Sequence, residues 1–553
     1  MSAHGKTADL PTAGAPPRAS RWWQAAESLL EAAGERLNPI LIKEAHQALK
    51  SRQFMITFGL LLLCGWVWTI LGLAMIGPQV SFGFHGSTMF LGYHVVLSFA
   101  LLVVVPFGAF RSLAVEQEER TYELLSITAL GPRQIVSGKL GSAAVQMVIY
   151  LSAISPCLAF TYLLRGIDFP TILFVLFYLV LASLGLSVIA LLLGTLTEQK
   201  AFQVILSVLT IVGLLAAFGI AWALVANFLE YSRPVFSEVW FWATNAAILT
   251  FYGTCLALVF LAAVARITFA SDNRSTALRI VIVLQHVAMV GWLVVPAMAE
   301  AIRDPEFLIF ALCLFAVHWS VLGGLMTGES PELSLRVRRR LPQSFLGRVL
   351  LTWFNPGPGT GYLFALGGML GAAAMAGLAL GLWEMTGVAR SRRFGPNWPD
   401  AVLVFGGLCV CYMAIYLGVG LLVIRLLRRY TRFDVLFAVL VYGLMVLAGC
   451  GLPPLVQELS AQWRREGYTL WQITNFVWTL EYVTESRAWS SQTLNLVLVL
   501  LPVAAVGVLA LNLPAIVREV QYVRVPKPAR VSEEDAALAP PPPPPPNASP
   551  WDV

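Results

Sequence analysis

Charge is what this chain has least of. Lys, Arg, Asp and Glu make up 12% of its 553 residues, while hydrophobic residues make up 58%. A soluble domain carries about a quarter of its residues charged, so a water-soluble protein of this length is excluded. The expected class is an all-α integral membrane protein, because a run of about 20 apolar residues crosses a bilayer as a helix. Acids are scarce inside the apolar runs, with Glu198 and Glu384 falling at run ends. An ion-coupled carrier normally needs acids near the membrane midplane, so that class is disfavoured. The formal net charge of +6 is too small for this length to imply nucleic-acid binding.

Catalytic signatures are missing as well. Walker A requires G-x-x-x-x-G-K-[ST]; Gly138-Lys139 is followed by Leu140 and lacks the upstream glycine, and Gly5-Lys6-Thr7 sits too near the start. There is no H-E-x-x-H, no G-x-S-x-G and no paired-carboxylate arrangement. No catalytic residue and no enzymatic activity are expected of this chain. The seven cysteines all lie in apolar stretches, where they read as small packing residues. Cys409 and Cys411 form a C-x-C inside one run with no further ligand nearby, so no metal site is expected. His94, His286 and His318 lie within apolar runs and read as neutral side chains bonded to a neighbouring helix. The first fifty residues lack a short apolar run ending in small residues, so the first span is expected to act as its own insertion signal.

Long apolar runs are abundant. Twelve spans are expected, at 54–76, 89–110, 142–164, 171–196, 203–228, 239–265, 280–302, 307–327, 363–386, 402–424, 434–456 and 494–516. With the N-terminus in the cytoplasm, 28 of the 37 Lys and Arg fall on the cytoplasmic side. That bias follows the positive-inside rule and implies both termini inside. The resulting organisation is a cytoplasmic segment 1–53 with an interfacial helix, a six-span domain 54–265, a linker 266–279, a second, divergent six-span domain 280–516 and a disordered tail 517–553. The cluster Arg390, Arg392 and Arg393 lies on the opposite side and is the exception to the bias.

Three polar stretches interrupt this pattern. Asn38-Pro39 opens a helical pattern with Ile40, Leu41, Glu44, Ala45, Ala48 and Leu49 at helical spacing, Pro39 suiting a first helical position; it reads as a surface-lying helix bending into the first span. Residues 457–493 are rich in aromatics, with Trp471, Trp478 and Tyr482 on one helical face; an interfacial helix is expected there, with a substrate-contacting lid as the alternative. The third stretch, Glu116–Leu140, is the longest polar run between apolar segments in the first third of the chain, with Glu116, Glu118, Glu119 and Glu123 ahead of an apolar face of Tyr122, Leu125, Thr128 and Ala129. Gly131-Pro132 breaks this helix, and a short second helix from Arg133 to Leu140 is expected to follow. A bent amphipathic element between two spans can lie along the membrane and present its polar face to a soluble partner. Near the end, Pro540–Pro546 forms polyproline II and packs no core; it reads as a spacer or a docking segment.

These residues carry a family resemblance. Asn38, Pro39, Ile40, Lys43 and Glu44 before the first span, the run Glu118, Glu119, Thr121, Glu123, Leu124 and Leu125 followed by Pro132, Ile135, Val136, Gly138 and Lys139 after the second, and the count of six spans make residues 36–265 resemble the membrane subunit of a type-2 ATP-binding-cassette (ABC) transporter. The family often has Gly before the Thr, where this chain has Arg120. The resemblance implies a permease, expected to export, in the cytoplasmic (inner) membrane. It implies a separate ABC ATPase subunit carrying ATP and Mg, with Glu118, Glu119, Thr121, Glu123, Leu124, Leu125 and Pro132 at the ATPase contact and Pro39, Lys43 and Glu44 in the interfacial helix. The second half matches less well, with an echo at Glu332-Leu333-Ser334, Pro342-Gln343 and Gly347-Arg348 and a turn-rich NPGPG at 355–359. Either the halves form a pseudo-dimer within one chain, or the second half is accessory and the first pairs in a homodimer or with a second permease chain. The competing class is a non-transporting membrane scaffold or regulator that recruits a soluble partner.

Overall fold

A computed structural model describes the chain between residues 38 and 538, apart from the segments 78–84, 119–130, 197–198, 232–235, 270–271, 299–304, 331–343, 345, 347–350, 386–397, 431–434, 460–466, 486–487 and 523–528. Among the described residues 91% are helical and none is in a strand. Twelve helices are long and apolar enough to cross a bilayer, and the chain is a multi-pass membrane protein. It divides into two units, Met1–Ala246 with Cys255–Thr268, and Ala247–Thr254 with Phe269–Val553.

The first unit begins with α1 (Pro39–Lys50), a helix capped by the Asn38 side chain, which accepts from the Ile40 N–H. Ser51 ends it in an extended conformation, and its Oγ accepts from the Phe54 N–H to cap α2 (Arg52–Ile76). One serine therefore makes the bend into the first span. Next come α3 (Gly86–Glu118), α4 (Pro132–Leu163), α5 (Phe169–Gly194), α6 (Lys200–Tyr231) and α7 (Val239–Ile267). The short helix expected at Arg133–Leu140 is not separate. Pro132 takes the first position of α4, and residues 133–140 are its opening turns, continuous with the third span. The Gly-Pro pair starts this helix, because a missing N–H costs nothing in a first turn; the helix expected ahead of the pair falls on 119–130, outside the described residues.

In lipid, apolar side chains gain little by leaving their solvent, so helix association rests on close packing and hydrogen bonds. Both are seen in the first unit. Phe90, Tyr93, Leu97, Leu101 and Tyr150 are fully buried in one cluster. Three polar contacts cross between helices there: the Thr57 hydroxyl with Tyr150 at 2.7 Å, the Thr69 hydroxyl with Tyr93 at 2.7 Å, and the Trp68 indole donating to the Met89 carbonyl at 3.1 Å. A second cluster joins Ile40, Leu113, Ile135, Val136, Leu191 and Ala263, from α1, α3, α4, α5 and α7. Leu60, Leu63, Trp66, Ile70 and Met75 of α2 face outward, as lipid contact requires.

The second unit contains α8 (Thr276–Met298), α9 (Pro305–Thr327), α10 (Pro358–Met385), α11 (Trp398–Leu427), α12 (Val435–Leu459), α13 (Phe476–Thr484) and α14 (Gln492–Tyr522). A further helix, α15 (Ala529–Leu538), lies in the segment expected to be disordered; the proline run lies outside the described residues. The aromatic stretch before α14 is not one helix. Trp471 sits in a 3-10 turn, Leu470–Thr474, separated from α13 by an extended Asn475 that caps α13 through the Trp478 N–H. Trp471 is therefore on a different element from Trp478 and Tyr482 and is exposed, while Tyr482 stacks on Tyr468 with ring centroids 4.3 Å apart. Tyr412 and Tyr416 of α11 donate to the Ile473 and Thr474 carbonyls and seat this turn. Burial pushes the Tyr468 phenol up to about 12, so it stays neutral and shares a hydrogen bond with Thr479.

Candidate functional site

The sequence places its functional stretch at 116–140. Of the residues expected to contact an ATPase, Glu119, Thr121, Glu123, Leu124 and Leu125 lie outside the described residues. Glu118 and Pro132 are described, and they stand at the two ends of the segment 119–130. What the structure adds is the joint beneath that segment, where α1, the end of α3 and the start of α4 meet.

The joint begins at Asn38. While its Oδ1 caps α1, its Nδ2 donates to the Gln134 carbonyl and to Ser137 Oγ, both in the first turns of α4. The Gln134 side chain reaches back to accept the Gly131 N–H at 2.9 Å, satisfying one more donor at the start of α4. Two helices are thus capped next to each other and cross at Gly138. A Cβ at that position would stand 2.8 Å from Ile40 Cβ, so only glycine allows the approach. Replacing Asn38 by Ala removes a cap typically worth about 1 kcal/mol together with the two bonds to α4. Trypsin cleavage after Lys43 and Lys50 is then expected to quicken by about five- to tenfold; an unchanged rate would show that the cap does not hold α1 in place.

At the centre lies Lys139, 3% exposed. Its ammonium donates to Glu44 of α1 at 3.1 Å, to Glu116 of α3 at 2.9 Å and to the Ser112 carbonyl of α3 at 3.1 Å. An ammonium has three donors, and each has an acceptor. Both carboxylates are largely buried, at 14% and 16% side-chain exposure. The group carries one positive and two negative charges, so the lysine is what lets Glu44 and Glu116 approach each other. Glu118, two residues on, reaches outward to Lys200 at the start of α6 at 2.8 Å, in a solvent-exposed pair of small energetic weight. Gln203 of α6 donates to the Ala114 carbonyl. The end of α3 is therefore tied to α1, α4 and α6.

Of the interfacial residues named from sequence, Glu44 enters this network, whereas Lys43 and Pro39 are exposed. Sequence reasoning did not single out Asn38 as a link to α4, nor Glu116, Ser112 and Lys139 as a buried group. A signal was present: Lys139 shares a helical face with Ile135, Val136 and Ala143, all of them buried. A lysine on an apolar face is buried only with partners.

The second unit has a polar joint of its own. Arg279 of α8 is fully buried, and all five guanidinium donors are used. Nε donates to Ser275 Oγ; Nη1 donates to the Trp353 carbonyl and Thr360 Oγ1; Nη2 donates to Glu329 at 2.7 Å and to the Gly357 carbonyl. Gly357 has φ +156°, and a Cβ there would meet Glu519 at 2.0 Å. Glu519 accepts from the Gly359 and Thr360 N–H groups and so caps the start of α10. The NPGPG stretch is the turn that lets Arg279, Glu329 and Glu519 converge. The echo residues at 332–334, 342–343 and 347–348 lie outside the described residues.

The intramembrane histidines divide. His286 Nδ1 accepts from the Trp319 indole of α9, a neutral histidine bonded to a neighbouring helix. His94 is buried, and its Nδ1 has no hydrogen-bond partner among the described residues. Glu198 lies outside the described residues. Among the described residues no cluster of His, Cys, Asp and Glu could hold a metal ion. Compared with family models, curated proteins and solved structures, the chain matches none.

Proposed function

We propose that this chain is the permease subunit of an ATP-driven ABC transporter, exporting its substrate across the cytoplasmic membrane, and that the 116–140 element docks on a separate ATPase subunit. The observation that best supports this reading is the Lys139 joint. The described helices on either side of 119–130, α3 ending at Glu118 and α4 starting at Pro132, are both fastened to α1 through one ammonium. A push on that segment is therefore delivered to the second span, the third span and the interfacial helix together, rather than being lost in a loop. Closure of an ATPase dimer on ATP would supply the push, and the attached spans would change their packing. ATP and Mg belong to the partner.

The test is co-purification of the full chain with candidate Walker-motif ATPases, followed by substitution of Glu119, Glu123 and Leu124. Charge reversal at the two glutamates with Leu124→Ala is expected to abolish both association and stimulation of ATP hydrolysis. Unchanged association and unchanged stimulation would overturn the docking. Association without any stimulation would favour the scaffold reading over transport.

A further inference from the structure

The second span changes helical register in the middle. Within α3, residues Gly86–Phe99 and Val105–Glu118 are α-helical, and Ala100–Val104 form a π-helical turn in which the Val105 N–H bonds to the Ala100 carbonyl five residues back. The cause is the next residue. Pro106 has no N–H, and in an unbroken α-helix its ring would press on the carbonyl four residues earlier. Widening the turn relieves that contact and leaves a definite vacancy in the ladder. The Val105 N–H is spent on Ala100, and Pro106 cannot donate, so the Leu101 carbonyl has no donor from its own helix. It is fully buried, where an unmet carbonyl is costly. The missing donor comes from α5: Ser183 Oγ, also fully buried, donates to Leu101 O.

The two halves of α3 on either side of this turn have different neighbours. Gly86–Phe99 packs on α2, α4 and α6, whereas Val105–Glu118 packs chiefly along α5. That second contact is close, since a Cβ on Gly194 of α5 would stand 2.9 Å from the Phe110 carbonyl. α5 is therefore held at two levels, to the turn at Leu101–Ser183 and to the second half of α3 at Phe110–Gly194. The same half of α3 carries Ser112 and Glu116 into the Lys139 joint.

We infer that Ala100–Val104 is a hinge in the second span, set by Pro106 and pinned by Ser183, about which Val105–Glu118 and α5 pivot together against Gly86–Phe99. Kinks of this kind arise where a proline or a π-turn interrupts the ladder. Here both coincide, and a single side-chain hydroxyl closes the gap. The inference concerns the membrane domain alone and does not rest on the docking of an ATPase.

The test is a double-substitution cycle on the full chain in lipid nanodiscs. Spin labels are carried on non-canonical amino acids at the exposed positions Thr88 and Val115, so that the native cysteines stay in place, and the distance distribution between them is measured by pulsed electron resonance. Ser183→Ala removes the pin and is expected to broaden the distribution by about twofold, since a freed carbonyl lets the turn sample further geometries. Pro106→Ala restores an N–H that has an acceptor in either register, Leu101 or Leu102, and is expected to narrow it. In the Pro106→Ala background, Ser183→Ala is expected to have no further effect, because the backbone has taken over the hydroxyl's role. Ser183→Thr, which keeps the hydroxyl, is expected to match the unsubstituted chain and controls for loss of fold. A Ser183→Ala distribution no wider than that of the unsubstituted chain, or an equal broadening in both backgrounds, overturns the hinge.

Discussion

Lys139→Met is expected to be among the most damaging single substitutions in the first unit. Methionine matches the length of the lysine stem, so the cavity term is small and the change is mainly electrostatic. What it leaves behind is two carboxylates, Glu44 and Glu116, gathered round one point with their shared cation gone, and a Ser112 carbonyl without its donor. Removing one partner from a buried ion pair costs about 3–5 kcal/mol, which for a unit of this size lowers the temperature of half-unfolding by on the order of 10 °C. The measurement is the temperature at which the detergent-solubilised chain loses half of its monodisperse elution peak. The combination Lys139→Met with Glu44→Gln and Glu116→Gln should recover most of the loss, because no uncompensated charge then remains. A triple variant no more stable than Lys139→Met would show that the damage comes from packing and not from charge. Lys139→Arg should fall between the two, since it keeps the charge but must fit a planar fork into a site built for three converging acceptors.

The twelve spans were legible in the sequence because hydropathy acts over 20 residues and tolerates local error. The helix ends were less so, most of all around the 116–140 stretch. The second span runs past the expected residue 110 to Glu118, and the third begins at Pro132 rather than 142. Both extensions carry polar residues that hydropathy rejects and that the fold satisfies through one another. Lys139 and Glu116 each end an apolar run when read alone, and only their pairing across 23 residues permits both helices to continue. The opening of α1 was readable for a local reason, since Asn38-Pro39 is a complete helix start within two residues. Its second role, donation to Gln134 and Ser137, depends on a neighbour roughly a hundred residues away.

Pro106 shows a different limit. A proline within an apolar run announces a disturbance, yet sequence does not say whether the helix will kink, end or widen. Widening won because Ser183 of α5 faces the freed carbonyl. In the second unit NPGPG was recognisable as a turn, but its purpose was not. Gly357 has φ +156°, a backbone that side-chain-bearing residues rarely adopt, and Glu519, more than 150 residues later, lies where its Cβ would stand. Trp471 illustrates a misread period: helical spacing groups it with Trp478 and Tyr482, while the extended Asn475 between them resets the phase.

Arg279→Lys is expected to be nearly as harmful as Arg279→Met, in contrast to the intermediate effect expected of Lys139→Arg. The difference lies in donor geometry. Arg279 meets five acceptors with five donors held in one plane, and these acceptors come from Ser275 just before α8, from Glu329 just beyond α9, from the turns before α10 and from α10 itself. A lysine ammonium offers three donors at a single point, so it can stay with Glu329 and must abandon either the Trp353 and Thr360 side or the Ser275 side. Glu329 would not be the main casualty, since Ser275 Oγ and the Gly357 N–H also donate to it. The Gly357 carbonyl keeps the Gly361 N–H as a donor, so the loss falls on the Trp353 carbonyl and on the Thr360 and Ser275 hydroxyls, an unmet polar group costing about 1–3 kcal/mol where it is buried. The expected result is a drop of about 3–5 kcal/mol for Arg279→Met, with Arg279→Lys recovering less than half of it. The readout is the same thermal elution assay, together with trypsin cleavage after Arg274, which should quicken as the start of α8 loosens. If Arg279→Lys unfolds at the temperature of the unsubstituted chain, charge alone holds this joint, and the turn at 355–359 is positioned by Glu519 rather than by the guanidinium.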